Sequence, residues 1–313
     1  MKFALSAEQK DFAASITALL SDADTATANR LWAEGKPEAG LEIWRSLAGL
    51  GVTALGVPEK FAGLDAETTD LVVVFEQLGY HAVPGPWVDT VAVLPSLIQD
   101  DDLVAVAEGE TLASIVAAPH VPYALDADVA DIRISLETDG LHTFTPIRRL
   151  DSVDAARRLF ETTLGERRPG EPDVARALNL GALTTAAVQL GAGRWLLNTS
   201  VSYAKQRRQY GKEIGHYQAV KHLLADVVTS LDFATPLLYA AAITLDSRDV
   251  SAAKVAANRA STLAARTGLQ VHGALGYTAE YPLGLRLTRI RALAGAWGTP
   301  SFHRARVLRA VAP

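Results

Sequence analysis

Between positions 220 and 238 the chain places Val220, Leu224, Val227, Leu231, Ala234 and Leu238 at successive spacings of 4, 3, 4, 3 and 4. Only an α-helix carries residues so spaced on one face, because its turn of ~3.6 residues returns every third or fourth side chain to the same side. An apolar stripe of this length calls for other helices to cover it. Candidates flank it. Leu190, Leu197, Val201 and Ala204 keep one face in the preceding stretch. The alanine-rich run 251–267 combines high helix propensity with side chains small enough for close packing. Pro236 falls inside the stripe and is expected to kink or interrupt its helix. From about Asp173 almost to its end, the chain reads as a helical bundle.

The first third is also helical. Ser6 is a candidate N-cap ahead of Phe12, Ile16 and Leu19. Trp44, Leu47 and Ala48 mark a second helix ended by Gly51, and Leu71, Val74, Phe75 and Leu78 a third closed by Gly79. Pro84-Gly85-Pro86 then breaks the pattern, and 94–106 reads as helix again. Near Gly109 the texture changes. Residues 111–116 suit a strand, 131–136 alternate, and Asp139-Gly140 offers a hairpin turn into 141–144. Strand-like sequence ends near Leu164, and 167–172 reads as a linker.

Composition excludes several function classes. A net charge of −5 without a long basic run argues against nucleic-acid binding. The absence of cysteine removes disulfides, thiolate catalysis and cysteine-ligated metals. The histidines show no metal-ligand spacing. No apolar run is expected to reach the ~20 residues of a membrane span. The N-terminus lacks the long apolar core of a secretory signal, so a soluble cytoplasmic protein is expected.

Three segments of the last third carry more specific information: Arg207-Arg208-Gln209-Tyr210-Gly211, then Gln270-Val271-His272-Gly273-Ala274-Leu275-Gly276, then Trp297-Gly298-Thr299. With the helix–strand–helix order, they resemble the acyl-CoA dehydrogenase family. Weaker likeness lies in 51–63 and in Glu76-Gln77-Leu78-Gly79 followed by Pro84 and Pro86. The resemblance implies a mainly α fold: an N-terminal helical domain (1–108), a reduced middle β segment (109–166) and a C-terminal four-helix bundle with the cofactor motifs (167–313). The middle departs from the family. It is much shorter than usual and lacks an equivalent of the Thr/Ser-rich motifs that contact flavin and substrate.

In the family, the arginine of an Arg-x-x-Phe-Gly motif reaches across a subunit interface to the pyrophosphate of FAD. Arg207 fits that position, with Gln209, Tyr210 in place of Phe, and Gly211. Paired guanidinium donors suit a compact dianion. A solvated basic helix end is the plainer alternative, and Arg208 reads as a surface charge. Family members carry Gln-x-x-Gly-Gly-x-Gly where this chain has Gln270, Gly273 and Ala274, and there the backbone approaches the adenine half of the same FAD. A glycine-capped helix end is the alternative. His272 reads as a packed or interfacial residue.

Trp297 stands where the family commonly places the glutamate that removes the substrate α-proton. An indole has no basic lone pair. Some members carry the base on an earlier helix, where this chain has Asn179-Leu180-Gly181-Ala182-Leu183 and no carboxylate. Glu280 belongs to a Glu-x-Pro-Leu pattern and reads as structural. The resemblance thus implies a short subunit without a catalytic residue of its own. It would share FAD with a catalytic partner, in an α2β2 assembly of the type known in actinobacterial steroid catabolism. The partner would bind most of the acyl-CoA, and an electron-transfer flavoprotein or similar acceptor would take the electrons. Two alternatives stay open: a self-sufficient homo-oligomeric enzyme using Glu161 or Glu280, and a flavin-free scaffold of the same fold.

Overall fold

The computed structural model describes residues 5–278 and 281–312, so Glu280 lies outside the described residues. Helices α1 (Ala7–Asp22), α2 (Thr25–Ala33), α3 (Glu38–Ala48) and α4 (Thr68–Tyr80) come first. A π-helical turn (Val88–Val93) and α5 (Asp102–Ala107) follow. Strands β1 (Ala113–Val116), β2 (Ala124–Leu125), β3 (Ile132–Glu137), β4 (Gly140–Leu150) and β5 (Leu159–Arg168) form one sheet in the order β1-β3-β4-β5-β2. The chain then returns to helix: α6 (Val174–Gln206), α7 (Gln218–Thr244), α8 (Ser247–His272), α9 (Leu283–Leu293) and α10 (Pro300–Val311). The fold is mainly α, as the resemblance implies.

Helix α6 is the axis. From Asn179 to Gly193 its residues are buried on all sides, as a helix enclosed by others requires. It packs against α4, α7, α8 and α9. The α4–α6 crossing is set by glycines. A methyl group built on Gly79 would overlap the Val188 carbonyl, and one on Gly191 would overlap that of Glu76. Gly79 is therefore not the end of its helix, as its sequence position suggests, but a point of close approach inside it.

The stripe on α7 faces the bundle at Val227, Leu231, Ala234 and Leu238, while Val220 and Leu224 are half-buried. Pro236 does not interrupt the helix. Packing along 27 residues outweighs the single backbone bond that proline removes. By length and a mean hydropathy of 1.4, α7 is apolar enough to cross a membrane, which corrects the expectation that no run qualifies. Its packing against α6 and α8 accounts for the buried part of that apolar character, 39% of the window.

Other boundaries moved for local reasons. Ser6 caps α1 through a reciprocal pair with Gln9. The stretch 94–106 is not one helix, since Pro95 and the run Asp100-Asp101-Asp102 divide it into a 3-10 turn and α5. The β3–β4 turn centres on Thr138 and Asp139, with Gly140 opening β4 at φ +129°. Arg167 and Arg168 belong to β5, paired with His142 and Leu141, rather than to a linker. The end of β5 is solvated and shows no apolar alternation, and Arg168 is anchored to Asp100 at 2.7 Å. The sheet is small and curled: β1 and β2, at opposite ends of its order, lie in contact without pairing.

Because backbone stands against backbone at these glycines, Gly191→Ala should destabilise the fold by about 1–3 kcal/mol, and Gly79→Ala similarly. Chemical denaturation checks this. Wild-type midpoints for both variants would contradict the crossing described.

Candidate functional site

The C-terminal ends of α6 and α8 lie side by side. The His272 ring stacks on Tyr203 with centroids 4.5 Å apart and donates from Nδ1 to the Gly268 carbonyl at 2.8 Å. Burial lowers its pKa, which fits a packed, neutral histidine. Beyond α6, Arg207 is the C-cap, in extended backbone. A tight hairpin of β6 (Arg208–Gln209) and β7 (Lys212–Glu213) follows. Its turn residues Tyr210 and Gly211 both have positive φ, +50° and +83°, the geometry that suits a two-residue hairpin. Arg208 is engaged by Glu213 at 3.0 Å. The Arg207 side chain is exposed and makes no hydrogen bond or ion pair among the described residues, and Tyr210 is 93% exposed.

On the other helix, Gln270 and Ala274 are exposed and Gly273 caps α8 at φ +58°, with nothing within 4 Å of where a side chain would begin. The structure thus brings the Arg207 and Gln270 segments to one end of the bundle and leaves both open to solvent. Helix C-termini carry partial negative charge. An anion at this end must therefore be held by side chains, and Arg207 offers a cation that is uncommitted among the described residues.

Trp297 behaves differently. It lies between α9 and α10, 4% exposed, with φ +56° in the left-handed region that large side chains avoid. His303 holds it there, donating from Nε2 to the Trp297 carbonyl at 3.0 Å while Nδ1 accepts from the Ser251 hydroxyl at 3.0 Å. Burial pushes His303 down to about 4, so the ring stays neutral and can do both. The indole rests on Gly181 of α6, where even a methyl group would overlap it. Trp297 and the 179–183 stretch, the two regions in which the resemblance would place a base, are therefore in contact, the indole against Gly181.

Sequence reading missed the carboxyl beside them. Asp89, on the π-helical turn, lines a cavity of about 180 Å³ together with Trp297, Arg157 and His120. With Thr90 it also satisfies the free edge of β1: Asp89 Oδ2 accepts the Ile115 N–H at 3.0 Å, and Thr90 Oγ1 the Ala113 N–H at 2.9 Å. Burial drives Asp89 up to about 7, opposed by the Ile115 bond, the Arg157 charge and the Trp297 indole. The one sequence signal for it was an acidic residue in an otherwise apolar run after Pro84-Gly85-Pro86. Glu161 is no comparable candidate. It is partly exposed and held in a two-bond ion pair by Arg148, at 2.6 and 3.0 Å, which lowers its pKa.

With this geometry in view, two family models match the chain: the acyl-CoA dehydrogenase N-terminal domain over residues 6–99 and the C-terminal domain over residues 170–312. Acyl-CoA dehydrogenase IpdE2 of Mycolicibacterium smegmatis is 32% identical over 271 residues, covering 82% of this chain and 84% of its own. The chain belongs to the acyl-CoA dehydrogenase family. Among solved structures, the Tcur3481–Tcur3483 steroid acyl-CoA dehydrogenase (G363A variant) superposes with a TM-score of 0.86 at 20% identity, over 97% of this chain and 98% of that one. The ChsE4–ChsE5 complex from Mycobacterium tuberculosis gives 0.81 at 20% identity, over the whole of both chains.

Asp89 yields a pH prediction. Unfolded, it ionises near its ordinary value; folded, it keeps its proton to about pH 7. Folding is therefore penalised as pH rises through that window, by up to about 4 kcal/mol above it, and not below about pH 4. Asp89→Asn carries no such penalty. Its stability relative to wild type should rise between about pH 4 and about pH 7 and level off above, read from denaturation curves at each pH. A constant difference would contradict the buried, proton-retaining carboxyl.

Proposed function

We propose that this chain is the non-catalytic subunit of a hetero-oligomeric acyl-CoA dehydrogenase, completing the FAD site of a partner of the same family. The observation that carries this reading is the contrast between two regions. Arg207, Gln270, Gly273 and Ala274 stand open at one end of the bundle, while the place of the base is filled by Trp297 against Gly181. FAD, when bound, accepts the hydride in α,β-dehydrogenation of an acyl-CoA. The residues present fit such a group arriving from outside the chain. Arg207 would pair with the pyrophosphate, Gln270 would donate from its amide, and Gly273 leaves its backbone approachable because it lacks a Cβ.

The cavity at Trp297, at about 180 Å³, is smaller than the ~300–1,000 Å³ usual for ligand pockets, which supports substrate binding mainly by the partner. An apolar face supports association as well. Phe233 and Leu237 of α7 and Leu308 and Val311 of α10 are exposed and line one groove. The likeness to an IpdE2 protein and to structures of two-component complexes supports a paired assembly and a steroid-derived acyl group. An electron-transfer flavoprotein or similar acceptor completes the proposed reaction cycle. One observation favours a second reading, a self-sufficient enzyme: the Asp89 carboxyl, with its raised pKa, could serve as base.

Arg207→Ala should leave the fold intact, since the side chain is exposed. It should reduce FAD retention in the assembled complex roughly ten- to hundredfold, the worth of a charge-assisted hydrogen bond of about 1.5–3 kcal/mol. Arg207→Lys should restore part of the loss, and Gln270→Ala should cost less. Flavin content per complex after gel filtration reads this, and full occupancy in Arg207→Ala would contradict the shared site. The isolated chain should turn over no acyl-CoA, and Trp297→Glu should not create activity. Turnover by the chain alone, abolished in Asp89→Asn, would establish the second reading instead.

A further inference from the structure

We propose that the cavity beside Trp297 is a binding site for a small monocarboxylate, gripped by Arg157. The inference concerns a ligand other than acyl-CoA or FAD, and it does not depend on the shared-flavin reading.

Arg157 lines this cavity in the company of three carboxylates, each already committed. Asp154 is held by the Arg289 guanidinium. Asp126 accepts the Trp32 indole N–H at 3.0 Å and stands beside Arg158 at 3.4 Å. Asp89 accepts the Ile115 N–H. Among the described residues, the Arg157 side chain forms no hydrogen bond to any of them. Arg157 is half-buried at a cavity that opens to solvent, so its guanidinium is reachable and unengaged, and a carboxylate is the group whose two oxygens match its fork.

Size and lining complete the match. An apolar cavity of about 150 Å³ takes up benzene, so about 180 Å³ accommodates a benzoate-sized acid. Leu125, Leu159, Pro122 and the Trp297 indole supply apolar walls, and Ser152 adds a polar contact. Asp89 sets the pH range. The groups acting on it are Arg157, Asp126, the Trp297 indole and the Ile115 N–H, and His120 shares the cavity wall. Burial keeps Asp89 protonated to about 7, so at lower pH it is a neutral donor beside the ligand rather than a competing anion.

The test uses the full chain, with its partner where the two co-purify, and benzoate and benzamide as probes in calorimetric titrations at about pH 6. Benzoate should bind saturably and benzamide at least about tenfold more weakly, because the neutral amide loses the charge-assisted pair. Arg157→Gln, confirmed folded by circular dichroism, should lose the preference for benzoate. Ala292→Leu, which adds bulk from the α9 wall of the cavity without touching the charges, should abolish binding. Failure of benzoate to bind wild type, equal affinity for benzamide, or benzoate binding undiminished in Ala292→Leu would each overturn the proposal. The last two comparisons decide it even if Arg157→Gln does not fold.

Discussion

Three glycines let helix α6 occupy the centre of this molecule. Gly191, and Gly79 on α4, allow the two helices to meet backbone to backbone, and Gly181 makes room for the Trp297 indole. Everything functional is referred to that axis. Arg207 is its C-terminal cap, its last turns stack on the end of α8 through Tyr203 and His272, and Gly181 near its N-terminal end forms the floor under Trp297. A side chain at any of the three glycines would push apart elements that together define both the open and the closed region.

The closed region is organised by buried charge. Asp89, Asp126, Asp154, Arg157, Arg158 and Arg289 come from the π-helical turn, the sheet and its connections, and α9, and they meet behind Trp297. Such a cluster is tolerable only where nearly every group has a partner. Among the described residues of the cluster, Arg157 is the guanidinium without a side-chain hydrogen bond or ion pair, although Asp126 Oδ2 and Arg158 Nη2 are also unpaired. The open region follows the opposite logic. Its polar groups are solvated and idle, an arrangement that costs the free chain little and leaves their hydrogen-bonding capacity for a ligand or partner.

Much of the fold was legible because burial leaves a periodic trace. The α7 stripe, the Ser6 capping box and the β3–β4 hairpin all follow from local pattern. Solvated or irregular segments were not legible. The end of β5 has no buried face and so no alternation, and Gly79 looks like a cap because a packing glycine and a capping glycine are the same letter. Arg207, Gln270 and Trp297 could be picked out as candidates through family resemblance. Asp89 and Arg157 could not. They lie 68 positions apart and meet only through the fold, and each alone resembles an ordinary surface charge.

Under the proposed assignment, an assembled pair of chains contains one complete flavin site, to which this chain contributes an edge and its partner the remainder. The most direct measurement is the FAD content of the purified complex against the quantified amount of each chain. One FAD per pair of chains is expected, with no flavin retained by this chain alone. Two FAD per pair, or a yellow protein from this chain by itself, would contradict it.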